Sequence, residues 1–196
     1  MKTAAMIALY DYELWQNTLD ALAPFVDHWV FRFDGDWDSG QLAGEQLRLN
    51  NYEPQTICRA SGTTWNRWEW REQMLRELDN VQPDLVLCPD EDEIFGTGLQ
   101  EDIKAFMESD KRAMMFAYKS PIPTDDGEVL FDGRPYPGLP HMKAFKWRPG
   151  LTYRNYTGFA RVTDYYDPSC HYHAKTLIHH FCCWTKEMRK NHEMKW

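Results

Sequence analysis

The sequence predicts an α/β fold with a mostly parallel central sheet flanked by helices, as in Rossmann-like proteins. Residues 2–9 and 26–33 have the apolar character of strands, and a helical pattern over residues 14–25 lies between them. A strand, a helix and a strand in this order form the unit that pairs strands in parallel. A second observation is the short apolar run at residues 85–88, which suits a strand buried on both faces and is closed by Pro89.

The remaining elements continue this alternation. Residues 65–78 predict a helix with Thr64 as its N-cap, and this helix leads into the strand at residues 85–88. We also expect strands at 55–59, 113–118, 143–147 and 151–156, helices at 41–50, 98–109 and 185–195, and a hairpin at 128–132.

Length, charge and cysteine content limit the class of protein. A chain of 196 residues predicts one domain, which we divide into a nucleotide-binding half, 1–95, and an acceptor half, 96–196. The sequence has no apolar run near the roughly 18 residues of a membrane helix, and five cysteines without framework spacing favour reduced thiols and a cytoplasmic protein. Residues 1–140 hold 12 Lys+Arg against 26 Asp+Glu, whereas residues 141–196 hold 10 against 4. This acidic body argues against a general nucleic-acid binder.

Four carboxylates, at positions 90–93, follow the predicted strand at residues 85–88 directly. In an extended segment Asp90 and Asp92 project to the same side, where two like charges are costly unless a cation lies between them. Hard oxygen ligands at a strand end suit Mg²⁺ or Mn²⁺. The alternative is an acidic surface turn, but ligands of open α/β sheets gather at the carboxyl ends of strands.

Arg67 and Arg71 lie four residues apart on the predicted helix 65–78, so they share one face. Guanidinium groups at this position could hold phosphate oxygens in paired hydrogen bonds. The alternative is an ordinary solvated helix face.

Four segments together resemble the GT-A-fold glycosyltransferases, particularly the small bacterial and phage-type ones. Residues 8–13 resemble the family's first-strand exit, and residues 30–39 its acidic, serine-bearing loop after the second strand. Arg71-Glu72-Gln73, followed by the acidic segment 90–94, resembles the metal-binding Asp-x-Asp motif with its trailing Glu-Ile. Residues 178–181, followed by residues 185–189, resemble a terminal segment in which a histidine completes the metal site.

This resemblance implies a GT-A-like nucleotide-diphospho-sugar transferase fold and transfer of a sugar from a nucleoside-diphosphate sugar, with UDP favoured, to an acceptor hydroxyl. It implies a Mn²⁺ or Mg²⁺ ion held by Asp90, Asp92 and His180. The nucleotide-sugar contacts that it implies are Tyr10, Asp11, Asp34, Arg67, Arg71, Asp90 and Glu91.

If the reaction inverts the sugar's configuration, a carboxylate must take the acceptor proton. We rank Asp132 first for this role, ahead of Glu128 and Asp125, and the alternative is that all three are surface loop acids. The acceptor stays open between a glycan, a protein and a hydroxymethylated base in DNA, with no membrane partner. Two other classes also remain: a metal-dependent phosphohydrolase or nucleotidyltransferase, and a non-catalytic carbohydrate- or nucleic-acid-binding module.

Overall fold

The computed structural model describes residues 1–9, 15–33, 56–59, 67–119, 122–123, 129–130, 140–156 and 159–180. Its helices are α1 (Trp15–Leu22), α2 (Arg67–Val81) and α3 (Leu99–Glu108), with 3-10 turns at Ala23–Phe25, Thr163–Tyr165 and Pro168–Cys170. Its strands are β1 (Thr3–Leu9), β2 (His28–Phe33), β3 (Thr56–Arg59), β4 (Leu85–Leu87), β5 (Glu93–Phe95), β6 (Ala113–Phe116), β7 (Tyr118–Lys119), β8 (Ile122–Pro123), β9 (Val129–Leu130), β10 (His141–Lys146), β11 (Tyr153–Tyr156), β12 (Phe159–Val162), β13 (His171–His173) and β14 (Ile178–His180).

The central sheet has seven strands in the order β13-β6-β10-β4-β1-β2-β3. Its neighbouring strands are parallel except where β10 lies antiparallel between β4 and β6. The predicted mostly parallel sheet is therefore confirmed. A smaller sheet, β5-β14-β7, extends from the edge at which β4 and β6 end.

Helices cover both faces of the central sheet, which explains why its strands are apolar on both sides. Ala5 and Ile7 of β1 point to the face packed against α1 and α3. Ala4 and Met6 point to the opposite face, against α2 and the β11–β12 hairpin. This alternation is the period of two that an extended strand imposes on its side chains.

The helices and strands predicted within the described residues are present, whereas the strands β5, β12, β13 and β14 were not predicted. The helix predicted over 14–25 is α1 followed by a 3-10 turn, because Pro24 cannot continue the α-helical hydrogen bonding. The hairpin predicted at 128–132 is instead the pair β8–β9, whose first arm lies nearer the N-terminus. The helices predicted at 41–50 and 185–195 lie outside the described residues, and so does Thr64. Among the described helices, none has the length and apolar character needed to cross a membrane.

Candidate functional site

The predicted acidic segment follows β4 at the carboxyl edge of the central sheet. Cys88 donates its N–H to the Lys143 carbonyl at 2.8 Å, which ties the end of β4 to β10. The chain then turns, because the Glu93 N–H donates to the Asp90 carbonyl at 3.2 Å. The expectation of an extended segment is therefore wrong. Asp90 and Asp92 were expected to face the same side. In the turn it is instead Asp90 and Glu93 whose side chains share one partner.

That common partner is the ammonium group of Lys143 on β10. Its Nζ lies 2.7 Å from Oδ2 of Asp90 and 2.8 Å from Oε1 of Glu93. The Lys143 side chain is 5% exposed, and the Glu93 side chain is fully buried. Arg71 of α2 approaches Asp90 from the other side, with Nη2 2.7 Å from Oδ1. Tyr118 of β7 completes the group by donating its hydroxyl to Glu93 Oε1 at 2.5 Å.

These contacts set the ionisation of the two acids in opposite directions. Burial alone would raise the pKa of Asp90, but the charges of Lys143 and Arg71 outweigh it and hold the pKa well below its usual range. Burial raises the pKa of Glu93 and exceeds the opposing effect of Lys143. The pKa of Lys143 lies well above its usual value, because two adjacent carboxylates overcome the effect of burial.

A second contact joins the acidic turn to the C-terminal part of the described chain. His180 pairs with Glu93 in the β14–β5 ladder, which brings its Nε2 to 3.4 Å from Oδ2 of Asp92. The Tyr118 ring stacks against His180 at a centroid distance of 5.2 Å and against His141 at 4.4 Å. The small sheet β5-β14-β7 thus places a carboxylate, an imidazole and a phenol beside one another.

Two buried side chains hold the segments that carry these groups. Thr18 of α1 donates its hydroxyl to the Glu91 carbonyl at 2.6 Å. Asp102 of α3 accepts hydrogen bonds from the N–H groups of Thr176 at 2.7 Å and Lys175 at 3.2 Å, just ahead of β14. The first contact fixes the backbone between Asp90 and Asp92, and the second fixes the backbone ahead of β14.

A divalent cation can be tested against the donors that are present. Both Asp90 carboxylate oxygens already contact nitrogen cations at 2.7 Å. Asp92 and His180 remain as adjacent oxygen and nitrogen donors; within the described parts of the chain, no three His, Cys, Asp or Glu side chains group as metal ligands. Mg²⁺ is commonly held by one or two carboxylates, with substrate phosphates and water completing the shell. Asp92 and His180 are the described side chains that could supply two ligands to such a cation, with water and substrate phosphates as the others.

The predicted site residues divide into two groups. Five of them lie at the same edge of the sheet: Arg71, Asp90, Glu91, Asp92 and His180. Glu91 is buried, with 8% of its surface exposed. Arg67 begins α2, and its side chain is outside the described part, as are Tyr10, Asp11, Asp34 and Asp132 altogether.

Sequence reasoning missed Lys143, Glu93 and Tyr118 as members of the site. The available signal was the lysine itself, since a charged residue followed by Ala144 and Phe145 in a predicted strand needs a buried partner.

The strand order and the two covered faces are those of an α/β fold with a mostly parallel central sheet. TarS of S. aureus shares this fold, with a TM-score of 0.50 and 18% identity over 70% of this chain and 23% of TarS. Its 1–349 form gives the same score and identity over 39% of its length, so the chain spans less than half of either protein. The 4-diphosphocytidyl-2C-methyl-D-erythritol synthase of Anaerococcus prevotii has a TM-score of 0.48 and 22% identity, over 74% of this chain and 70% of that protein. No protein-family model matches the sequence, and no curated protein does.

Proposed function

We propose that the chain is a metal-dependent glycosyltransferase that moves a sugar from a nucleoside-diphosphate sugar, with UDP favoured, to an acceptor hydroxyl. The observation that carries this proposal is the meeting of Asp92 and His180, 3.4 Å apart, at the carboxyl edge of a sheet with this fold. That edge is where open α/β sheets bind nucleotides. Arg71 reaches the same edge from α2.

The proposed chemistry concerns the charge on the leaving group. Breaking the glycosidic bond leaves negative charge on a diphosphate, and Mn²⁺ or Mg²⁺ held by Asp92 and His180 would neutralise it. Arg71 would bind the same diphosphate with charge-assisted hydrogen bonds, for which its planar donors are suited. Stabilisation of developing charge by fixed groups is often the largest contribution to an enzyme's rate.

The proposal also assigns roles to five residues whose side chains lie outside the described part of the structure: residues 10, 11, 34, 67 and 132. Tyr10, Asp11 and Asp34 would contact the nucleoside, Arg67 would assist Arg71, and Asp132 would take the acceptor proton. The acceptor is a glycan, a protein or a hydroxymethylated base in DNA. The net charge of −8 disfavours tight binding to unmodified DNA, because nucleic-acid affinity rests on phosphate neutralisation.

The test is a panel of nucleotide sugars, each added with and without Mn²⁺, while the thermal unfolding midpoint is followed. A ligand that binds the folded state raises the midpoint. We expect one nucleoside-diphosphate sugar to raise it in the presence of Mn²⁺, and we expect EDTA to remove most of the effect. Release of the nucleoside diphosphate on addition of an acceptor would then establish transfer.

The variant Asp92→Asn should lose the Mn²⁺-dependent part of the midpoint shift and of the activity. Asp110→Asn is the matched control, since Asp110 is an exposed acid at the end of α3 and away from the site. Consumption of a nucleoside triphosphate in place of a nucleotide sugar would identify a nucleotidyltransferase instead. Sugar binding that is indifferent to EDTA would identify a non-catalytic module.

A further inference from the structure

Lys143 lies where a cation is required for reasons that do not depend on any substrate. Its ammonium lies 2.7 Å from a carboxylate oxygen of Asp90 and 2.8 Å from one of Glu93, and these acids come from a single turn. The Glu93 side chain is fully buried and that of Lys143 nearly so. The Asp90 side chain is 48% exposed, so it is Glu93 whose charge lies away from water. A buried acid beside a second acid is costly unless a positive charge lies between them.

Every oxygen of the two carboxylates has a partner within this group. Asp90 uses Oδ1 for Arg71 and Oδ2 for Lys143. Glu93 uses Oε1 for Lys143 and Tyr118, and its Oε2 accepts the N–H of Asp90 at 2.8 Å. Mg²⁺ needs carboxylate oxygens at about 2.0–2.1 Å, so it could enter between the two acids only by displacing the ammonium.

We propose that Lys143 is a positioning residue that takes the place of a divalent cation between Asp90 and Glu93, and that it thereby limits the site to the single ion at Asp92 and His180. Asp90 then orients Lys143 and Arg71 and is not a metal ligand. The proposal rests on the proposed function only for the ion at Asp92 and His180. The exclusion of a second ion follows from the contacts of Lys143.

Removing the ammonium should convert its position into a metal site. Lys143→Ala leaves Asp90 and Glu93 facing each other with space between them, so we expect its thermal midpoint in EDTA to fall by on the order of 10 °C. Mn²⁺ should restore most of that loss. Counting bound Mn²⁺ by electron paramagnetic resonance should give one more ion per chain in Lys143→Ala than in the wild type.

Lys146→Ala is the matched control on the same strand. The Lys146 ammonium donates to the backbone carbonyls of Met107 at 3.3 Å and Ser109 at 2.6 Å, and the two acids of the turn are not among its contacts. Loss of the Lys146 ammonium removes hydrogen bonds made by a lysine, but it leaves Lys143 between Asp90 and Glu93. We expect the Lys146→Ala protein to bind the same number of Mn²⁺ ions as the wild type.

A double variant separates the charge of Lys143 from its packing. Lys143→Ala with Glu93→Gln removes one acid together with the ammonium, so the protein should be more stable in EDTA than Lys143→Ala alone, and the extra Mn²⁺ should be lost. A double variant no more stable than the single one would overturn the proposal. So would a Lys143→Ala protein that binds no additional Mn²⁺, or one that cannot be recovered folded even with Mn²⁺ present.

The same counts distinguish this proposal from the proposed function. A change from no bound ion in the wild type to one in Lys143→Ala would support the role of Lys143. The same result would contradict the proposed ion at Asp92 and His180. Asp90→Asn adds an independent arm, since it should bind as many Mn²⁺ ions per chain as the wild type, whereas Asp92→Asn should lose the ion of the Asp92–His180 site. An equal loss in Asp90→Asn would make Asp90 a ligand and would contradict the proposal.

Discussion

The contact between α3 and the segment ahead of β14 allows a quantitative prediction for Asp102→Asn. The Asp102 carboxylate is 3% exposed and accepts three hydrogen bonds, from the N–H groups of Thr176 and Lys175 and from the Tyr172 hydroxyl at 3.1 Å. Asparagine has nearly the same shape but only one acceptor oxygen, and its NH₂ group would face a backbone N–H. Since hydrogen bonds to a charged group contribute about 1.5–3 kcal/mol each, we expect a loss of about 2–4 kcal/mol.

The assay is urea or thermal unfolding at several pH values. For a chain of this size the loss corresponds to a midpoint about 5–15 °C lower. Glu101→Gln is the matched control, because it removes the same charge from an exposed position in the same first turn of α3.

The stability difference between the wild type and Asp102→Asn should also depend on pH. Burial alone would raise the pKa of Asp102, but its hydrogen bonds to Thr176 and Lys175 outweigh burial and lower the pKa below the ordinary 3.8. The carboxylate therefore contributes its full stabilisation above the unfolded-state pKa of about 3.9 and loses it as the pH falls through the lower folded-state value. The gap between wild type and Asp102→Asn should narrow between about pH 5 and pH 2. A gap that is no larger than that of Glu101→Gln, or one that persists in acid, would refute the reasoning.

Three further predictions concern the frame and the ligand contacts of the site. Thr18→Val should lower the free energy of unfolding in urea by about 1–2 kcal/mol, because the buried Glu91 carbonyl loses its 2.6 Å donor; a neutral result would mean that water replaces the hydroxyl. Arg71→Gln should weaken UDP binding in Mn²⁺ by about 10–100-fold in calorimetry, whereas Arg76→Gln, on the same helix and paired with acids of that helix, should leave it unchanged. Gly98→Ala should cost about 1–2 kcal/mol in urea unfolding, because Gly98 has a φ of +99°, which a residue with a Cβ adopts only with strain. A stability equal to that of the wild type would contradict this.

The elements of this fold could be predicted from sequence because each depends on a local pattern. The buried faces of α1 and α2 and the apolar run of β4 are visible as spacing and length in the sequence alone. The antiparallel direction of β10 is a different case. It depends on which strands β10 contacts, and nothing within residues 141–146 specifies that its neighbours are β4 and β6.

The candidate site was predictable only in part, for the same reason. The resemblance to a known family directed attention to Asp92 and His180, and the structure brings their side chains to 3.4 Å. Lys143 lies 53 residues from Asp90 along the chain, so no spacing rule joins them. Asp92 was expected beside Asp90, but the turn at residues 91–92 changes which side chains face the same way. Glu93 therefore lies beside Asp90 in its place.

The reversed direction of β10 also decides where the chain enters that strand. His141 at its start pairs with Phe116 at the end of β6, so the polypeptide leaves β6 and returns to β10 on one rim of the sheet, the rim that carries the acidic turn. An insertion or deletion placed between these two strands would begin and finish beside that turn. Under the proposed transferase function, we therefore expect changes of length there to alter which acceptors are used, while the sheet keeps its registration and its stability.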